Sequence, residues 1–192
     1  MTRIAIIRHG STSWNKAGRL QGHSDIPLDE EGLDQALKLG QRLSGESWDV
    51  IYSSHLIRAR QTAAVIATEL GLESTLQDHR LGEAGGGLIE GTTEAERIEK
   101  WGESWMQQEL GREPNAAVIG RGMAFLEELL TSHPGKNIVL ITHGSFIRQM
   151  LAHLLPEEMP APPPMKNTSV TTLCFADSSW RCELFNCTTH LD

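Results

Sequence analysis

The tripeptide Arg8-His9-Gly10 is the part of this 192-residue sequence best suited to covalent chemistry. A neutral imidazole, with an ordinary pKa of about 6.5, is a nucleophile near neutrality and can accept a phosphoryl group. A lone histidine after a strand is more often a satisfied turn residue. Here Arg8 precedes it, and Gly10 follows, where the missing Cβ lets the backbone approach a substrate. Phosphoryl transfer asks the protein mainly for fixed positive charge around the equatorial oxygens. Arginine meets phosphate with a planar, permanently charged fork, so Arg8 and Arg58 are the expected pair on the phosphoryl group. Arg60 falls on another helix face and reads as a solvated or salt-bridged surface residue. His143 adds a third donor if protonated, and Gly144 lets the next helix start close to the anion. The leaving alkoxide needs a proton from a carboxylic acid beside the phosphate. Glu83, in the glycine-rich stretch GEAGGGLIEGT at 82 to 92, is the candidate, because a neighbouring anion favours its protonated form. Glu90 lies close by and is the alternative. Glu31, Glu46 and Glu127 read as helix surface.

These residues are far apart in sequence, so the elements between them must bring them together. RIAII at 3 to 7 reads as a strand buried on both faces. From Asp29 to Leu43 the spacing predicts a helix that turns Leu33, Ala36, Leu37, Gly40 and Leu43 inward. WDVIYS at 48 to 53 is a second strand. A helix from Leu56 to Leu70 follows, stopped by Gly71. Thr93 to Glu96 forms a capping box that opens a helix through Trp105. A further helix covers about 116 to 132, with Val118, Gly122, Phe125, Leu126 and Leu129 on one face. NIVLIT at 137 to 142 is a third buried strand, followed by a helix from Ser145 to Leu155. The Pro-rich 160 to 164 is a rigid connection, and SVTTLCFA and WRCELFNC close the chain as strands. The order predicts a three-layer α/β/α domain with a mostly parallel central sheet, in which ligands sit beyond the carboxyl ends of the strands. Arg8, His9, the segment 53 to 58 and His143 all fall there. One domain over 1–192 is expected, with a small helical and loop cap at about 84–115.

Composition bounds the partners. Lys and Arg total 17 against 25 Asp and Glu, a net charge of -8, which speaks against a nucleic-acid or anionic-membrane partner. A small anionic substrate needs only a few local cations, and Arg outnumbers Lys twelve to five. No apolar run reaches the roughly 18 to 20 residues of a membrane span, and the apolar run near the start is too short for a signal peptide. Three cysteines, Cys174, Cys182 and Cys187, lack metal spacing and read as reduced thiols of a cytoplasmic protein.

The motifs resemble those of the histidine phosphatase superfamily, also called the phosphoglycerate mutase-like family. RHGSTSWN at 8 to 15 is similar to its RHGxTxWN opening. Gln21-Gly22, then Asp25, Pro27, Leu28 and Gly32, are similar to its QGxxDxPLxxxG segment, and YSSHLIRARQTA at 52 to 63 to its YSSxLxRAxQTA. Glu83, Gly87, Glu90 and Gly91 keep the spacing of ExxxGxWEG, with Ile89 where the family has Trp. ITHGSFIRQML at 141 to 151 resembles the second histidine block, and Asn167 to Val170 the late NxSV element. The resemblance runs in order over about residues 1 to 190. It implies a phosphoglycerate mutase-like fold, a phosphorylated His9, a phosphoryl group held by Arg8, Arg58 and His143, and Glu83 as proton donor and later base. It also implies a pocket lined by Asn15, Gln21 and Gly22.

Only 59 residues separate Glu83 from His143, an interval that resembles the compact phosphatase branch. Mutases of the family return the phosphate to a retained substrate and need a closed site with extra residues there. The expectation is therefore a histidine acid phosphatase-type phosphomonoesterase acting on a small phosphorylated metabolite. It would need neither cofactor nor metal, because arginines supply the charge, and would work as a monomer or homodimer. The alternatives are mutase-type phosphoryl transfer and a non-catalytic phosphoester-binding module. A protein phosphohistidine phosphatase is disfavoured by the Trp14-Asn15 and Gln21-Gly22 segment, which resembles the small-molecule branch.

Overall fold

The computed structural model describes residues 1 to 192. Its central strand, β1 (Thr2–Arg8), sends Ile4 and Ile6 to one face of the sheet and Ala5 and Ile7 to the other. All four are buried, as a strand of period two must be when both faces are covered. β2 (Val50–Ser53), the two-residue β3 (Leu76–Gln77) and β4 (Asn137–Thr142) join it in parallel. β5 (Val170–Ala176) pairs antiparallel with β1, and β6 (Ser179–Cys187) antiparallel with β5. The order is β3-β2-β4-β1-β5-β6. Helices α2 (Glu30–Leu43) and α3 (Ile57–Leu70) cover one face, and α5 (Asn115–Ser132) and α6 (Gly144–Leu154) the other, giving the expected three-layer α/β fold. Two short helices, α1 (Ser13–Lys16) and α4 (Glu94–Trp101), lie in the connections.

Two expectations about helices are corrected. Leu33 and Leu37 do not face the core but are 43% and 38% exposed. Ala36, Gly40 and Leu43 are buried as expected, and Gly32, Gln35 and Leu39 complete the inward face. Close approach decides this: a Cβ on Gly32 would stand 2.1 Å from the Ser11 carbonyl oxygen, and Gln35 is drawn in because its Oε1 accepts the Ser11 amide at 3.0 Å. The capping box on Thr93 and Glu96 is present. Its helix nevertheless ends at Trp101, because Gly102 takes a left-handed φ of 79°. Trp105 falls in a separate 3-10 turn and packs with Ile89 and Leu110 in a small satellite core. Ile89 thus fills an apolar site beneath the 105–110 segment.

Candidate active site

Strand register brings the two histidines together. Arg8 pairs with Thr142 across β1 and β4, so His9 and His143 leave the sheet side by side. The His9 amide donates to the Thr142 carbonyl at 3.0 Å, and the ring centroids are 5.2 Å apart. β2 ends beside β4, with Ser53 opposite Ile141. The first turn of α3 then carries Arg58, which is completely buried. Glu83 enters on the loop after a 3-10 turn over His79–Leu81. Four segments converge beyond the carboxyl ends of parallel strands, where a sheet of this topology holds its ligand.

Within that convergence the His9 ring is oriented. Its Nδ1 lies 2.7 Å from the Gly10 carbonyl oxygen. A carbonyl only accepts, so Nδ1 carries the proton and Nε2 keeps the lone pair. Gly10 is held in turn by its amide, which donates to Thr62 Oγ1 at 3.1 Å, and a Cβ there would stand 2.5 Å from the Gly32 carbonyl oxygen. Burial, with the charges of Arg8 and Arg58, pushes the His9 imidazole well below its ordinary pKa. Burial and Arg58 do the same to His143. The free site therefore holds His143 as a neutral imidazole, not the protonated donor that the sequence made conditional. Histidine NMR on nitrogen-labelled protein is expected to find both rings neutral as pH falls through about 6.5, with His9 as the Nδ1–H tautomer. A His9 titration at or above that value, or an Nε2–H tautomer, would contradict the assignment. The unfolded chain takes up protons below about 6.5 that the folded rings refuse, so stability is full above that pH and declines as pH falls below it.

The cations beside His9 have spare donors. Arg8 donates through Nη1 to the Met165 carbonyl at 2.6 Å. Arg58 donates to the Ser24 and Gly22 carbonyls at 2.7 and 2.8 Å. Burial lowers Arg58 to about 10, with Glu83 and Asp25 opposing the shift. The Nε atoms of both arginines and both ring nitrogens of His143 are buried and have no hydrogen-bond partner. A buried donor left this way costs about 1–3 kcal/mol, a cost that an anion accepting from the arginine Nε–H groups and the single N–H of a neutral His143 would offset.

Glu83 stands at the N-terminus of α6. Its Oε1 accepts the amides of Ala84 and Phe146 at 2.8 and 2.9 Å, and Oε2 accepts that of Ser145 at 3.2 Å. Glu90, the alternative acid, has a different task. Its carboxylate accepts from the amides of His23, Ser24 and Gly86 and from the Ser24 hydroxyl. Burial raises its pKa, but those hydrogen bonds outweigh it and hold Glu90 below its ordinary value. Gly22 must be glycine beside it, with a φ of 52° and a Cβ position 2.0 Å from Glu90 Oε1.

Arg8, His9, Asn15, Gln21, Gly22, Arg58, Glu83 and Gly144 line one cleft of about 810 Å³. His143 lies just behind it against His9. The Thr12 hydroxyl lies 3.2 Å from Asn15 Oδ1 and 3.1 Å from Gln21 Oε1 and donates its one proton to either of them, which ties the α1 region to the rim. Asn167, noted only as part of a late motif, bridges the His9 carbonyl and Asn15 Oδ1 at 3.0 and 3.2 Å. Arg60 is exposed, as its helix position implied. Arg112 and Arg148 also line the cleft, and sequence reasoning did not single them out. No group of three or more His, Cys, Asp or Glu side chains is placed to hold a metal ion, and no helix is long and apolar enough to cross a membrane.

In this α/β domain the parallel strands thus end in buried, unpartnered arginine donors around an oriented imidazole. Residues 4–188 match the family model of the histidine phosphatase superfamily (branch 1), and the chain belongs to that superfamily. It is 31% identical over 201 residues to a metal-independent phosphoserine phosphatase of Arabidopsis thaliana, covering 100% of this chain and 84% of the relative. Among solved structures, a mycobacterial glucosyl-3-phosphoglycerate phosphatase in complex with VO3 superposes with a TM-score of 0.88 at 30% identity, covering 96% of this chain and 98% of that one. A histidine-to-alanine mutant of the phosphoserine phosphatase of Entamoeba histolytica, in complex with phosphoserine, gives a TM-score of 0.83 at 30% identity with 100% of both chains covered.

Proposed function

We propose that this protein is a phosphomonoester hydrolase that acts on a small phosphorylated metabolite through a phosphohistidine on His9. The observation that carries the reading is the set of unpartnered buried donors, Arg8 Nε, Arg58 Nε and the His143 ring, beside an imidazole whose Nδ1–H is committed to Gly10. In the first step Nε2 of His9 attacks phosphorus, the P–O ester bond breaks, and the leaving oxygen takes the proton that Glu83 carries. In the second, Glu83 as carboxylate takes a proton from water, which attacks the phosphohistidine and releases inorganic phosphate and the free imidazole. The arginines and His143 bind the equatorial oxygens throughout, where negative charge is spread in the transition state. The names of similar proteins, which include phosphoserine and glucosyl-3-phosphoglycerate phosphatases, support a phosphorylated metabolite as the substrate class.

Release of phosphate from a panel of small phosphomonoesters, run beside 3-phosphoglycerate isomerisation, tests the reading. Phosphate release is expected to dominate and to be unaffected by a chelator, because arginine charge serves in place of a metal. Efficient isomerisation stimulated by a bisphosphate would assign the mutase reaction instead.

A further inference from the structure

Glu83 sits on a stretch with no ladder of its own, and its backbone is held by side chains. Arg121, in α5, donates through Nη1 to the carbonyls of Arg80 and Gly82 at 2.6 and 2.8 Å, and through Nη2 to the carbonyl of Glu83 at 3.0 Å. Its Nε and Nη2 also meet the two carboxylate oxygens of Glu113 at 2.9 and 3.1 Å. All five N–H groups of the guanidinium are thus engaged. Glu113 extends the clamp, because Oε2 accepts the Gly85 amide at 3.0 Å and its own amide donates to the Gly85 carbonyl at 2.8 Å. The guanidinium lies over the Phe146 ring, 5.2 Å from its centroid, and the Phe146 amide holds the Glu83 carboxylate. His23 adds a second donor to the Glu83 carbonyl, Nε2 to O at 2.9 Å.

We infer that Arg121, held in plane by Glu113, is the positioning residue for the acid that protonates the leaving group. The inference rests on the proposed role of Glu83. A guanidinium is needed because three carbonyls and a bidentate carboxylate demand five donors in one plane, whereas an ammonium has three about a point. Displacement of about 1 Å in a catalytic group costs up to about 100-fold, and here the cost would fall selectively on leaving groups that need a proton. Arg121 touches none of the proposed phosphate ligands, so phosphoryl binding is expected to survive its loss.

The test compares Arg121→Lys with wild type on an alkyl phosphate, whose alkoxide must be protonated, and on p-nitrophenyl phosphate, whose phenolate leaves unaided. Values of kcat/KM report the step in which the ester bond breaks. The expected result is a loss of about 10- to 100-fold on the alkyl ester and less than about threefold on the nitrophenyl ester. Inhibition by inorganic phosphate should stay within about twofold. Added to Glu83→Gln, Arg121→Lys should cost nothing more on the alkyl ester. Glu113→Gln, which keeps the size of the side chain, should give a smaller bias in the same direction and serves if Arg121→Lys folds poorly. Equal losses on both esters, or a loss that multiplies with that of Glu83→Gln, would make Arg121 merely structural and overturn the proposal. If Glu83→Gln alone shows no leaving-group bias, the acid role of Glu83 falls and this inference with it.

Discussion

Replacing His9 with alanine lowers kcat/KM for phosphate release by at least about 10,000-fold, the scale on which loss of a covalent nucleophile is felt. The reason is local. Nε2 of His9 is the ring nitrogen left basic when Nδ1 donates to Gly10, and burial beside Arg8 and Arg58 keeps it unprotonated. Burial and Arg58 likewise lower the pKa of the neighbouring His143, but it has no counterpart of the Gly10 hydrogen bond to fix its tautomer, and both its nitrogens are unpartnered. Binding should survive, because Arg8, Arg58 and His143 remain. The variant is therefore expected to bind inorganic phosphate within about threefold of wild type while turnover disappears. A His9→Ala protein that retained a tenth of the wild-type kcat, from a preparation free of contaminating phosphatase, would remove His9 from the chemistry.

Arg58→Met separates function from folding. Loss of a fixed charge on the phosphoryl oxygens is expected to lower kcat/KM by about 100- to 1,000-fold, the range seen when one transition-state donor is removed. Stability should change by only about a few kcal/mol, for two opposing reasons. Burial lowers the pKa of Arg58 to about 10, so its charge burdens the folded protein by roughly 3 kcal/mol. Methionine removes that burden but leaves the Gly22 and Ser24 carbonyls without their donor, at about 1–3 kcal/mol each. The two oppose each other and leave a net cost of at most about 3 kcal/mol, so thermal denaturation should find a Tm within about 10 °C of wild type. A Tm fallen by more than about 10 °C would mean that Arg58 serves the fold rather than the anion, and an activity within tenfold of wild type would remove it from the phosphoryl site.

Much of this architecture was legible in the sequence because it depends on strong, local patterns. An unbroken apolar strand, a capping box and a glycine at a helix end each state their structure within a few residues. The convergence of Arg8, His9, Arg58 and His143 followed from one topological rule about the ends of parallel strands. What was not legible depends on single backbone conformations and on contacts between segments distant in sequence. On α2 the spacing places Ala36, Gly40 and Leu43 correctly, but the strong apolar signal of Leu33 and Leu37 hides that Gly32 and a recruited Gln35 make the close contact instead. The early end of α4 coincides with the positive φ of 79° at Gly102. Arg121 looks like an ordinary polar position in α5, and its partners lie 38 to 41 residues upstream and 8 residues upstream. No spacing rule links them, because the loop that joins them obeys none.

The central claim is a covalent phosphoryl group on His9, and trapping it is the most direct test. The enzyme is mixed with excess phosphomonoester, quenched in alkali within one turnover and digested, and the peptides are read by mass spectrometry. The expected result is a phosphoryl group on the peptide containing His9, stable to base, lost in acid, and absent from His9→Ala. Full turnover with no phosphoryl-enzyme, or the label on another residue such as Ser11 or His143, would contradict it.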